Sequence, residues 1–377
     1  MRSHRAGLRC LLAAFLALFL ATTAAEAQTD GTGGGTFLAV GEADASFTGS
    51  SAGSAFGDVN FKPIFLWRLS DRLFVESEVE VETGDGTADF GLEYANVVWA
   101  VRPNVLLHAG RFISKFGGYF GRYREGFLNR FSSDPVGFGD DGIGARVETG
   151  IGVGGTVPLG KVGVTYDFYL SNGPQLLVGS PSAPEQAGQL DYEAYAENND
   201  GKAVGGRVGV LPFADESLEV GASFQRAGGT GGKGTPFEDV GATMYAVDGS
   251  YLRLIDPLAG QLRLRSEWRR VEVDRADFPD PSNPLATYSF DNVSSAYYVE
   301  GSFRATQSER PVIRDLELAA RYSRFEPPAD APWGGDPVNR TEVGLDYWLK
   351  WNVVAKTAYV WDSGARDAFE AQLVFGF

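Results

Sequence analysis

Between Arg111 and Phe131 the chain carries Arg111, Lys115, Arg122, Arg124 and Arg130 against Glu125 alone, a local charge of +4 in a protein whose formal charge is −16. Guanidinium and ammonium groups donate charge-assisted hydrogen bonds to anions, so a cluster of this kind favours anions wherever it is held beside their path. A solvated external loop is the plainer reading, and the downstream Asp134, Asp140 and Asp141 oppose the positive bias. Two further arrays of charge alternate with apolar residues. Glu76, Glu78 and Glu80 form one, and Arg263, Arg265 and Arg269 form the other. Within the cationic stretch, Tyr123, Phe127 and Phe131 are spaced by four, which on a short helical turn would set them on one face and pin the segment to a wall.

Other chemistry is poorly supplied. Arg2, Arg5 and Arg9 precede an uncharged apolar run over residues 10–25, and Ala25-Glu26-Ala27 closes it with a small-x-small pattern. These are the marks of a secretory signal peptide covering residues 1–27, cut before Gln28. Its removal takes three Arg and one Glu and moves the formal charge from −16 to −18. The exported part then has no Cys and one His, His108, so neither a disulfide framework nor a conventional hydrolase base is expected. Asp191, Glu193, Glu197 and Asp200 could hold a divalent cation, although a solvated surface loop explains them better. The run 150–155, GIGVGG, imitates a dinucleotide motif but has no helix after it, so strand curvature accounts for its glycines better. No cofactor is implied. An acidic chain with a pI near 4.7 lacks the basic face that nucleic acid requires.

The elements that position the charges are strands. Gly is in excess, 49 of 377 residues, and the 26 Phe, 15 Tyr and 7 Trp exclude low-complexity disorder. Apolar and polar residues alternate with period two in 73–82, 262–269, 316–322, 341–349 and 367–377. Sixteen strands are predicted, at 37–48, 58–70, 72–82, 88–101, 104–113, 143–157, 161–171, 202–212, 217–228, 238–254, 260–274, 292–306, 312–326, 339–349, 352–361 and 367–377. Many are long for a soluble sandwich and suit a tilted membrane strand. Their connections alternate, short then long, and the longest cover 114–142, 172–201, 275–291 and 327–338. An even number of strands with short turns on one rim and long loops on the other describes an all-β transmembrane antiparallel barrel, one domain over residues 28–377. Trp67, Trp99, Tyr169, Tyr251, Trp348, Trp351, Tyr359 and Trp361 sit near strand ends, where interfacial girdles are expected.

Three patches carry a resemblance. The last strand ends at Phe377 without a tail and resembles the sorting signal that barrel-insertion machinery reads in bacterial outer-membrane proteins. The segment 110–117, GRFISKFG, with the loop that follows strand five, resembles the constriction loop of bacterial porins. GRFISKFG and 164–174, VTYDFYLSNGP, also look like parts of the phosphate-selective porin family. The resemblance implies a non-enzymatic outer-membrane porin, a homotrimer in outer-membrane lipid, passing small hydrophilic solutes through a pore narrowed by the loop. Arg111, Lys115, Arg122, Arg124 and Arg130 would then line a constriction with some preference for phosphate-like anions. The Glu and Arg arrays, eight strands apart, would either face each other across the lumen or be neutralised by neighbouring strands. A structural or surface-binding barrel with a sealed lumen is the alternative.

Overall fold

The computed structural model describes residues 35–377 except 85, 86, 140, 141, 181 and 282; the expected signal peptide lies outside the described residues. Sixteen antiparallel strands close into a barrel. They are β1 (Thr36–Ser50), β2 (Gly53–Arg68), β3 (Leu73–Gly84), β4 (Thr87–Arg102), β5 (Val105–Ile113), β6 (Val147–Leu159), β7 (Val162–Ser171), β8 (Ala203–Leu211), β9 (Leu218–Ala227), β10 (Ala242–Ile255), β11 (Gly260–Val273), β12 (Val293–Arg304), β13 (Leu316–Glu326), β14 (Val338–Lys350), β15 (Val353–Asp362) and β16 (Ala368–Gly376). The seam pairs β1 with β16, from Glu42 opposite Gly376 to Ser50 opposite Ala368. All sixteen predicted strands are present, with shifts of a few residues at their ends.

Alternation becomes two surfaces. On β16, Phe369, Leu373 and Phe375 point outward and are 41–48% exposed, while Val374 points inward and is fully buried. The outer wall carries Leu170, Val204, Phe224, Val247, Trp268, Val299, Leu318 and Val343 in the same way. A closed barrel leaves no unpaired strand edge, and this apolar outer wall calls for lipid. No helix among the described residues is long and apolar enough to cross a membrane. Trp67, Trp99, Trp351, Tyr359 and Trp361 are exposed near the rims, as a girdle requires. Tyr169 and Trp348 depart from that expectation. Tyr169 is buried and shares hydrogen bonds with Ser114 and Gln225, and Trp348 donates to Glu317 inside the barrel. Both belong to the interior because their partners do.

Most connections at the rim that holds Phe377 are short; the exception is 305–315 between β12 and β13, where the helical turn Pro311–Arg314 replaces the expected start of the strand. Between β6 and β7 the turn is two residues, and Gly160 takes a φ of +69° there, a conformation that disfavours any side chain. At the other rim the long loops build structure of their own. Gln175–Leu176 pairs with Leu190–Asp191, and Phe278–Asp280 pairs with Asn283–Tyr288. Neither hairpin follows from the alternation pattern.

Candidate functional site: a loop that divides the lumen

The segment that leaves β5 folds into the barrel over its described residues, 114–139 and 142–146. Gly117 N–H donates to Ser223 of β9 at 2.9 Å, and Gly118 and Tyr119 N–H both donate to Glu267 of β11 at 2.8 Å. One helical turn, Tyr119–Arg122, follows. Arg122 pairs with Glu219 of β9. The chain then crosses to the opposite wall, where Arg124 reaches Glu78 of β3 at 2.8 Å and Glu93 of β4 at 3.1 Å. Gly126 N–H donates to Glu42 of β1 at 2.8 Å. Beyond it Arg130 pairs with Glu317 of β13 at 2.8 Å, Ser133 donates to Glu342 of β14 at 2.7 Å, and Ser132 donates to Glu370 of β16 at 2.5 Å.

The three aromatics do not share a helical face. Residues 123–131 are turn and bend, so each ring finds its own wall. Tyr123 lies under Arg265, Phe131 lies under Arg321, and Phe127 fills the space beside Gly376. The loop is pinned at three places around the circumference.

The local charge of +4 is met by wall carboxylates. Arg124 shows the balance: burial penalises its charge, but Glu125, Glu78, Glu93 and Glu80 outweigh that and hold its pKa above the ordinary guanidinium value. Arg122 is held up in the same direction, burial again opposing and Glu219 prevailing. Glu93 reaches Arg124 because a bulge between Glu78 and Val79 leaves it without a partner across the strands. Strict alternation misses such a residue, since a bulge inserts one extra position.

The crossing separates two compartments in the short-turn half of the lumen. One, of about 580 Å³, is lined by Glu76, His108, Lys115, Arg122, Asp167 and Arg207 among others. The other, of about 550 Å³, is lined by Ile64, Phe127, Leu128, Arg263, Arg304 and Trp348 among others. In the first, His108 Nε2 lies 3.2 Å from Asp167, a contact between residues 59 apart that spacing could not have indicated. Two glycines of the GIGVGG run make it possible. A Cβ on Gly152 would lie 2.3 Å from His108 Cε1, and one on Gly154 would lie 2.4 Å from Asp167 Oδ2. The run therefore clears space for side chains of β5 and β7 to meet over β6.

The remaining residues of the cationic stretch and the two arrays divide as follows. Lys115 and Glu76 line the first compartment, and among the described residues neither has an ion-pair partner. Arg111 lines neither compartment; it donates to the carbonyls of Glu93, Glu193 and Ala194 and lies against Tyr195. Glu78 is taken by Arg124, and Glu80 by Lys62 at 2.6 Å. Arg263 lies 3.7 Å from Glu317 and lines the second compartment. Arg265 donates to the Leu128 carbonyl at 2.6 Å, and Arg269 binds Glu267 and the Ile143 carbonyl, each at 2.6 Å. Within the two arrays, Glu80 and Arg265 are met from neighbouring strands, by Lys62 of β2 and Glu300 of β12, whereas Glu78 is met by the inserted loop and Arg269 by Glu267 of its own strand. Phe377 stacks on Phe61 at 5.4 Å, and its backbone exchanges hydrogen bonds with Gly41 at the short-turn rim. Asp134 accepts from Tyr119 at 2.5 Å, and Asp140 and Asp141 lie outside the described residues. The acidic loop residues have taken partners: Glu193 with Arg146, Glu197 with Lys202, Asp200 with Lys233, and Asp191 with the Glu193 amide. Among the described residues no group of three acidic, His or Cys side chains is placed to hold a metal ion.

Above the compartments, toward the long loops, loop side chains pack against the inner wall and leave a third cavity of about 400 Å³, lined by Arg146, Tyr192, Val271 and Trp333 among others. Ala242, Met244 and Ala246 of β10 and Val271 and Val273 of β11 pack with Phe116, Tyr119 and Phe138 of the inserted loop, and with Tyr192, Phe278 and Phe290 of the other loops.

No protein-family model and no curated sequence matches the chain. Solved structures do. OmpF of Salmonella typhi, solved with daunomycin, is 12% identical with a TM-score of 0.58, over 91% of this chain and 98% of that one. The outer-membrane channel DcaP of Acinetobacter baumannii is 12% identical with a TM-score of 0.56, over 92% and 98%. An anion-selective porin from Comamonas acidovorans is 11% identical with a TM-score of 0.53, over 91% and 100%. At these identities the likeness is one of fold: the chain has the barrel fold of bacterial outer-membrane porins.

Proposed function

We propose that this chain is an outer-membrane channel through which small hydrophilic solutes diffuse, with a modest preference for anions, phosphate-like ones included. The observation that carries this is the inserted loop, held across the lumen by charged and polar contacts, with a compartment that carries charged side chains on either side. A barrel built only for support has no need of charged groups facing enclosed space, where desolvation is costly. The lining tilts the selectivity. Lys115, Arg122 and Arg207 stand against Glu76 and Asp167 in the first compartment, and Lys62, Arg130, Arg263 and Arg304 stand against Glu42, Glu125 and Glu317 in the second. One extra cation in each is a weaker bias than the bare loop charge suggests. The chain reaches the membrane by a signal peptide over residues 1–27, inserts through recognition of the strand ending at Phe377, and assembles as a homotrimer.

A second reading is favoured by the packed long-loop half: a barrel whose lumen is closed on that side, serving as a structural or surface-binding protein. Planar-bilayer recording from refolded protein separates the two. Discrete single-channel steps with a reversal potential of anionic sign support the channel, and a silent bilayer with correctly folded protein overturns it in favour of the closed barrel.

A further inference from the structure

Arg263 stands in the second compartment with a donor unfilled. Its Nη1 is buried and has no hydrogen-bond partner, and its ionic neighbour Glu317 is 3.7 Å away. Glu317 does not close the gap, because the oxygen nearer Arg263, Oε1, already takes two donors. Oε1 accepts from Arg130 at 2.8 Å and Ser302 at 2.6 Å, and Oε2 accepts from Trp348 Nε1 at 3.0 Å. The other charges of the lining have closer partners. Lys62 holds Glu80 at 2.6 Å, Arg304 holds Asp315 at 3.1 Å, Glu125 holds Arg124 at 2.9 Å, and Glu42 accepts from the Gly126 and Phe127 amides. A buried guanidinium N–H left without an acceptor is unfavourable, and an incoming anion relieves it.

The rest of the lining sets the kind of anion. Ile64, Phe127, Leu128, Trp348 and Trp351 give the compartment an apolar side, unlike the first compartment with its many polar groups. We infer that the second compartment binds a small aromatic monocarboxylate, its carboxylate on Arg263 and its ring against Ile64, Phe127 and Leu128. A single negative charge fits because one donor is open and Glu42 and Glu125 repel a second. A rigid ring suits a compartment of about 550 Å³, since it buries apolar area at little conformational cost. The inference deepens the channel reading by naming a solute class, and it rests on that reading only in requiring that solutes reach the lumen.

The test uses the full barrel refolded in detergent, titrated with benzoate, acetate and benzyl alcohol and followed by calorimetry and by tryptophan fluorescence, to which Trp348 and Trp351 contribute from the lining. Benzoate is expected to bind saturably, and acetate and benzyl alcohol at least about tenfold more weakly, each lacking one of the two interactions. Arg263→Gln is expected to weaken benzoate by roughly tenfold while the heat-modifiable gel shift of the folded barrel stays the same. If that variant does not fold, Arg263→Lys replaces it, with a smaller loss expected because the planar donor fork is gone. Absence of saturable benzoate binding, or equal affinity in the folded variant, overturns the inference. Conductance of the same preparation keeps the two proposals apart. Steps without benzoate binding sink this inference alone, and binding without steps sinks the channel alone.

Discussion

The two ends of the same inner wall have opposite characters. Near the short turns, β9–β12 present Glu219, Asp248, Arg265, Glu267 and Glu300 to the lumen, and near the long loops the same strands present Ala227, Ala242, Met244, Val271 and Ala296. The change falls within one strand: on β11, Glu267 and Arg269 are followed on the same face by Val271 and Val273. An inward face is polar in a membrane barrel only where it meets water, solutes or paired charge. Where loops fold over it, it becomes the floor of an ordinary core, and Phe116 and Phe138, fully buried, contribute on the order of 1.5–3 kcal/mol each. The polar end is stabilised by pairs, the apolar end by packing.

That contrast can be broken at either end. The largest effect is expected for Arg321→Ala, which leaves Glu342 buried without the guanidinium that holds it at 2.5 and 2.7 Å. A loss of about 3–5 kcal/mol should appear in urea unfolding from lipid vesicles. Arg321→Met combined with Glu342→Leu should recover most of it, and failure to recover would mean that the pair does more than satisfy itself. At the apolar end, Phe138→Ala should cost roughly 3 kcal/mol by cavity formation, while the reversal potential stays where it was. A changed reversal potential would place Phe138 on the solute path.

Smaller effects sharpen the boundary between the compartments. Gly152→Ala puts a Cβ against the His108 ring, so about 1–3 kcal/mol is expected from overpacking. Unaltered unfolding would show that the ring turns aside freely. The smallest effect on stability belongs to Lys115→Glu, within about 0.5 kcal/mol for an exposed side chain without an ion partner. Its readout is selectivity: the anion preference should shrink or reverse in bilayer recordings, more at low salt than at high. An unchanged ratio would remove the first compartment from the permeation path.

Much of the barrel is legible in sequence because its rule is local. In β11 and β16, period-two alternation alone decides which residues meet lipid, and the turn between β6 and β7 announces itself with Gly160. The site is less legible because its rule is not local. Arg124 finds Glu78 and Glu93, and Arg130 finds Glu317, only after strands far apart in the chain take their registers. The cationic stretch is visible as a loop of high charge, but the acids that neutralise it look like any other inward residues. The aromatics of the loop hairpins, Phe278, Tyr288 and Phe290, read as loop residues with no surface to cover, since that surface is the apolar upper lumen.

The inserted loop also touches both sides of the seam. Gly126 is held by Glu42 on β1, and Ser132 is held to Glu370 on β16. Those strands are the first and the last of the barrel to be synthesised, and the loop sits between them in time as well as in space. It acts as an inner clasp over the joint where the cylinder shuts, adding side-chain contacts to a seam that the backbone ladder already joins.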